Sequence, residues 1–357
     1  MRRRRYKELG GESFFGNLVF ERAVPQDHFL RQLDKWVNWE ELSELLIRLY
    51  KGGAEVGRPP YEPAVMLKVL VLSYLYDLSE RQTEAFVNDS LSAKCFLGLA
   101  VDERGPDHST LTAFKRRIEE RGGEAELERL LTEVVRQARE RGVEFGAIQV
   151  IDSTHSVADV NTKRDERRQK REGKPPRDKG ARWGVKHKRR FRDEKGEEVE
   201  QTEYFYGYKA HMSMNAQAEM ITSVIVTAGN AYDGHQFAKL VERDRQQLVP
   251  ARIYAADRGY DDGENHYLLE KQGLHSAIKL HDYRTKKKDK NKQVWVELLA
   301  SPEYEAGQKE RYKIERKYGE AKEYHGLRRC RYVGRLRYAI QVYLTAVSYT
   351  HLTLPTN

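Results

Sequence analysis

The hydrophobic pattern of the chain changes period once, near residue 145. Before that point apolar residues recur at steps of three and four. Leu30, Leu33, Trp36 and Val37 form one such set and Leu42, Leu45, Leu46 and Leu49 another, each marking one face of a helix. The polar stretch "KGGAEVGRPP" (51–60) breaks the pattern, and a helix is expected over about 62–76. Its run "AVMLKVLVLSYLYDL" (64–78) is apolar on nearly every side, as in a buried helix, and with Lys68 inside it is too short to span a bilayer. Ser79, with Gln82 at the capping-box position, opens the next helix. Ser109 is placed to cap another, with Leu111, Phe114 and Ile118 as its apolar stripe and Lys115, Arg116 and Arg117 clustered beside it. A helix over about 124–141 closes this region.

After residue 145 the runs shorten. "FGAIQVID" is a short apolar strand ending at Asp152. "EYFYGYKAHMSMN" alternates, placing Tyr204, Tyr206, Tyr208, Ala210, Met212 and Met214 on one face, and "MITSVIVTA" follows across a turn to give a hairpin. Asp233 is placed to cap a helix to about Leu248. The strand "ARIYAAD" ends at Asp257, a helix covers about 262–272, and "HSAIKL" is a last strand. Ser301-Pro302 starts a long helix that Gly326 stops. The order predicts an α/β domain, a mixed sheet flanked by helices, behind an all-α N-terminal domain. The expected boundaries are 1–144 for the helical domain, 145–347 for the sheet domain with a basic insertion at 160–203, and 348–357 for an atypical tail. That tail, "SYTHLTLPTN", is expected not to continue the helix marked by Leu336, Ile340, Leu344 and Val347.

Charge sharpens this picture. The formal net charge is +9, and residues 160–195 alone hold 16 Lys and Arg against 6 Asp and Glu. One segment therefore carries the whole excess, and its near lack of aliphatic residues predicts mobility without a partner. Polyanion contact is the functional reading of Arg182, Lys186, Lys188, Arg189 and Arg190 within it; a solvated linker is the bland one. "YRTKKKDKNK" (283–292) is a second basic stretch. The two cysteines, Cys95 and Cys330, are isolated and fit a reduced, cytoplasmic setting rather than a zinc site. The basic start "MRRRRYKELGG" runs into a polar stretch, unlike a secretory signal.

Position singles out three acids. Asp152 and Asp257 end two strands; if those strands are parallel neighbours, both carboxylates emerge at one edge, where α/β sheets bind ligands. Taken singly, each reads as an ordinary turn or cap. On the long helix, Arg311, Glu315 and Lys322 share a stripe. An ion-pair ladder explains that stripe blandly. The sharper explanation is a metal-holding acid between phosphate-facing cations, since three converging carboxylates need cations to stay ionised. Hard oxygen ligands suit Mg²⁺ or Mn²⁺, as two ions promoting in-line phosphoryl transfer.

The stretches "VIDSTHSVADVN", "YGYKAHMSMN", "VTAGNAYDGHQF", "YAADRGYDD" and "RYKIERKYGEAKEYHGLRRCRYVG", in this order and spacing, resemble DDE transposases of bacterial insertion sequences, in the broad group of insertion sequences four and five. The resemblance implies an RNase H-like catalytic domain with Asp152, Asp257 and Glu315 as the metal-binding triad. It implies recognition of terminal inverted repeats in double-stranded DNA, cleavage to free a 3′-OH, and joining to target DNA. Acting on two ends together implies a homodimer or higher oligomer. The family signature Tyr-x2-Arg-x3-Glu-x6-Lys is met by Arg311, Glu315 and Lys322, with Gln308 in place of the Tyr. Lys209 and His211, in "GYKAH", match a common stretch and place Lys209 among the DNA contacts. His155 reads as a hydrogen-bonding loop histidine more readily than as a metal neighbour. Trp183 is either a stacking residue for an exposed base or a loop anchor. A nuclease without strand transfer, and a silent transposase-derived DNA-binding protein, are the alternatives.

Overall fold

The computed structural model describes residues 6–10, 14–50, 59–192, 198–286 and 290–352. The expected break at 51–58, the basic start, the centre of the second basic stretch and the last five residues lie outside them. The chain divides into two compact units, Met1–Val143 with Tyr343–Asn357, and Glu144–Val342.

The first unit is helical: α1 (Phe14–Ala23), α2 (Phe29–Trp36), α3 (Trp39–Ile47), α4 (Pro63–Leu75), α5 (Glu80–Asp89), α6 (Leu91–Leu97), α7 (His108–Arg117) and α8 (Gly123–Glu140). Helix α4 is its axis, buried from Val65 to Leu75 apart from Lys68, as its all-round apolar sequence requires. The Ser79–Gln82 capping box forms. The cap of α7 is Asp107 rather than Ser109: its carboxylate accepts from Thr110 N at 2.7 Å, and Ser109 donates to it. A carboxylate that takes both donors outcompetes a hydroxyl that could take one.

The second unit contains β1 (Ile148–Val157), α9 (Thr162–Glu172), β2 (Arg182–Arg192), β3 (Glu198–Asn215), β4 (Met220–Ala228), α10 (Gly234–Gln246), β5 (Ile253–Ala256), α11 (Gly263–Lys271), β6 (His275–Ile278), α12 (Lys292–Ala300), α13 (Pro302–Glu310) and α14 (Tyr312–Tyr324). The strand order is β2-β3-β1-β5-β6, with β4 also paired to β3. β1 runs antiparallel to β3 and parallel to β5, and β5 parallel to β6, so the sheet is mixed. Helices cover both faces, and β3 is therefore buried on both sides from Phe205 to Met214 except at Lys209; its alternation does not separate inside from outside. On one face Ile151, Phe237, Leu240, Tyr254, Tyr260 and Leu269 form the core. On the other, α13 packs on β5 and β6 and α14 on β1. Gly307 permits that approach, because a Cβ there would sit 2.4 Å from the Ala277 Cβ.

Three expectations are corrected here. The basic segment is not a loop: Asn161 caps α9, Gly173 ends it with φ 64°, and β2 pairs along β3, since backbone ladders form whatever charge the side chains carry. The long helix is two, divided at Arg311, which lets α13 lie on β5–β6 while α14 turns onto β1. The final helix α15 (Arg335–Leu352) runs five residues into the tail expected to break it. Among the described residues no helix is long and apolar enough to cross a membrane.

Candidate active site

Parallel pairing of β1 with β5 sets Ile151 opposite Ala256, so Asp152 and Asp257 occupy corresponding positions on adjacent strands. β1 does not stop at Asp152 as the sequence suggested; it continues along β3 to Val157, which also bridges Arg329, and Asp152 stands where the β5 ladder ends. Asp257 also serves as a turn cap, its Oδ1 accepting from Gly259 N at 2.8 Å. The bland and sharp readings hold together at this residue.

Glu315 is brought near by α14, whose Tyr318 donates its hydroxyl to the Asp152 carbonyl at 2.6 Å. Tyr318 lies one turn beyond Glu315, so this bond ties the helix to the strand beside the acid. The Glu315 carboxylate itself is exposed and accepts from Arg311 Nη2 at 3.2 Å, the i,i+4 pair expected of a ladder. Gln308, in the position where the signature has Tyr, donates to the carbonyls of Ala256 and Ala277 and fastens α13 to the strand ends beside Asp257.

Electrostatics set Asp152 apart. Loss of water, followed by the neighbouring Asp257 charge, pushes its pKa up to about 7; the bond from Ser153 N and the Arg311 charge offset only part of this. Asp257 is raised too, first by burial, with Asp233 and Glu315 adding to it against the Gly259 bond and Arg311. Among the described residues no three His, Cys, Asp or Glu side chains are already gathered as a metal-binding group. Asp152 and Asp257 suit a hard divalent cation, as two neighbouring carboxylates whose pKa values are both held up, that of Asp152 partly by the Asp257 charge. Glu315 stands at the rim, engaged by Arg311.

Asp233 was expected only to cap α10. It makes no capping bond. Its carboxylate instead accepts from Ser153 Oγ at 3.0 Å and from Lys209 Nζ at 2.8 Å. The only sequence sign of this was an Asp placed before a helix, which reads as a cap. Lys209 is correspondingly reassigned from DNA contact to internal cation, since it also donates to the Ala231 carbonyl. Lys115 is reassigned likewise: it is 7% exposed and paired with Glu80. Arg116, Arg182 and Lys186 are exposed; Arg116 lies near Glu120, Arg182 donates to the Lys179 and Ala181 carbonyls, and Lys186 pairs with Glu203 at 2.6 Å. Lys188, Arg189 and Arg190 lie on β2, with side chains outside the described residues. Lys322 is half-buried within the field of Asp152, and burial lowers its pKa. His155 is a strand residue, not a loop one; its ring lies 4.6 Å from Phe205, and burial with Lys322 and Lys186 nearby brings it down to about 4, so it is neutral at pH 7.

The sequence itself then decides the family. Residues 144–350, more than half the chain, match the transposase DDE domain. The chain belongs to the DDE transposase family. Residues 18–117 also match a transposase domain (DUF772), so both units carry transposase signatures. Two solved structures are similar over most of the chain. One is a Mos1 transposase paired-end complex with left transposon end, 12% identical over 77% of this chain and 83% of that one, with a TM-score of 0.21. The other is a pre-cleavage Mos1 transpososome, 11% identical over 76% and 83%, also at 0.21. Membership rests on the sequence matches rather than on these two. DDE transposases generally use divalent metal ions, which accords with the carboxylate pair where the β1–β5 ladder ends.

Proposed function

We propose that this transposase binds the terminal inverted repeats of an insertion sequence, cuts the DNA there and joins the freed 3′-OH to target DNA, with Asp152, Asp257 and Glu315 as its acidic triad. The observation that carries this reading is the register of β1 with β5, which sets the two aspartates side by side, together with the Tyr318 bond that fastens the Glu315 helix to the Asp152 carbonyl.

Asp152 and Asp257 would hold Mg²⁺ or Mn²⁺, with Glu315 joining them by leaving Arg311. When bound, two such ions supply the Lewis acidity that activates the attacking oxygen and eases departure of the leaving one. The residues of the chain do the remaining work. Arg311, released from Glu315, turns to a phosphate, and Lys322 takes another. Asp233 fixes Ser153, and with it the backbone next to Asp152. Arg116, Arg182, Lys186, Lys188, Arg189 and Arg190 contribute salt-dependent contacts to the DNA backbone. Handling two ends together requires at least a homodimer.

The test is cleavage of duplex DNA carrying the gene's own flanking ends, in Mg²⁺ or Mn²⁺, by the wild type beside Glu315→Gln. Cutting at the repeat boundary by the wild type alone is the expected result. Binding without cutting by both forms would remove the catalytic reading and leave a DNA-binding relic.

A further inference from the structure

The helical unit holds a cavity of about 560 Å³ that lies outside the acidic site, lined on its apolar side by Tyr50, Tyr61, Met66, Phe114, Pro59 and Pro60. Tyr50, Met66 and Phe114 are buried. Lys7 donates its Nζ to the Tyr61 hydroxyl at 3.1 Å and its backbone N to the Pro60 carbonyl at 2.9 Å, which fastens the chain start to the entry of α4. Gly105 sets the loop before α7 against α5: a Cβ there would sit 2.4 Å from Val87 Cγ1, and its N donates to Asn88 Oδ1 at 3.1 Å. The lining is therefore fixed by its own contacts.

Charge then selects the occupant. The lining includes the acids Glu84 and Asp107 and the cations Lys7, Arg104 and Arg117. Both acids are committed. Glu84 accepts from His108 N at 2.9 Å and from its ring at 2.6 Å, and Asp107 caps α7; these bonds hold Glu84 below the ordinary carboxylate range and bring Asp107 down to about 2. Lys7 pairs with Glu103 at 3.2 Å. Arg117 lies over the Tyr50 ring at 4.6 Å, and Arg104 is exposed; neither guanidinium meets a carboxylate among the described residues. The uncommitted charge is thus positive, and it is carried by two planar forks that suit a phosphate. Inorganic phosphate would leave the rings uncovered, and a duplex is too wide for this space. An anion with a flat aromatic body satisfies both parts of the lining.

We propose that this cavity binds a free mononucleotide, with its phosphate on Arg104 and Arg117 and its base against Tyr61 and Phe114. All four residues belong to the helical unit, so the site is separate from the acidic triad and from the cations of β2.

The test is calorimetric titration of the full chain with AMP in EDTA, which removes divalent ions from the carboxylate edge. Wild type is expected to bind AMP at least about tenfold more tightly than adenosine or inorganic phosphate. Arg104→Gln and Arg117→Gln should each weaken AMP by about tenfold. Arg104 is exposed, so that variant keeps the test open if loss of Arg117 from the Tyr50 ring unsettles the fold. Arg182→Gln with Lys186→Gln should leave AMP affinity within about twofold, because the nucleotide does not sit on the basic strand. No heat with AMP at millimolar concentration, or equal affinity in wild type and Arg104→Gln, would overturn the proposal. Phosphate binding as tightly as AMP would reduce the cavity to a simple anion site and overturn it too. A single-stranded hexanucleotide that displaces AMP and depends equally on Arg104 would overturn it in favour of a strand end. None of these outcomes bears on cleavage of the flanking ends, so the cavity and the catalytic reading fail separately.

Discussion

Two carboxylates of the sheet domain, Asp244 and Asp152, lose their water in very different ways. Asp244 on α10 is fully buried, and its pKa is raised by that burial, yet it accepts bonds from Ser213, Thr222 and Ser223, each at 2.6 Å. Gln149 and Asn215 extend this network, so the hydroxyl cage holds the charge without outside help. Asp152 has one backbone bond from Ser153 and faces the fields of two more acids. A buried acid completed by its own neighbours is structural. One left incomplete beside a second acid, where the β5 ladder ends, is the position we propose for a divalent cation.

The largest effect that would break this contrast is on chemistry. Asp257→Asn should lower cleavage of the flanking ends at least about a thousandfold while leaving duplex affinity within about twofold, and Asp244→Asn should leave cleavage within about tenfold. Equal losses in both variants would erase the distinction. Stability should respond the other way round. Asp244→Ala leaves three buried hydroxyls without their acceptor and should lower the melting temperature by roughly 10 °C. An unchanged melting temperature would mean the cage contributes nothing.

Asp152 carries the opposite sign. Its pKa is pushed up to about 7, well above the ordinary carboxylate range, so the folded chain keeps a proton that the unfolded chain releases, and metal-free stability falls as pH rises from about 4 to about 7. Asp152→Asn removes that loss. Without divalent ions it should raise the melting temperature by roughly 5 °C at pH 7.5 and leave it unchanged near pH 4. A variant less stable than wild type at pH 7.5 would show that Asp152 is satisfied after all. The smallest effect belongs to the basic strand: Arg182→Gln with Lys186→Gln should reduce the slope of log affinity against log salt by about 2. A slope that does not move would return these cations to the solvated face.

Local pattern carried most of the architecture. The period change near 145, the buried α4 run and the hairpin were all legible, because burial imposes its period on the sequence, whereas the parallel pairing that sets Asp152 beside Asp257 entered only as a condition. What escaped was decided by partners distant along the chain. Asp233 reads as a helix cap until β1 and β3 bring Ser153 and Lys209 to it. Lys115 reads as a surface cation until α5 supplies Glu80. The 160–195 segment has a disordered composition, yet β3 offers an open edge, and pairing to it depends on backbone rather than side chains. The break at Arg311 has no glycine or proline to announce it; it follows from α13 and α14 docking on different strands.

The central claim is that Asp152 and Asp257 form an incomplete pair that a divalent cation completes. Thermal melting of the DNA-free chain at pH 7.5, with and without Mn²⁺, tests it most directly in wild type, Asp152→Asn, Asp257→Asn and Asp244→Asn. The account predicts that Mn²⁺ raises the melting temperature of wild type and Asp244→Asn but not of the other two variants. A rise of equal size in Asp152→Asn or Asp257→Asn would place the ion elsewhere and contradict it.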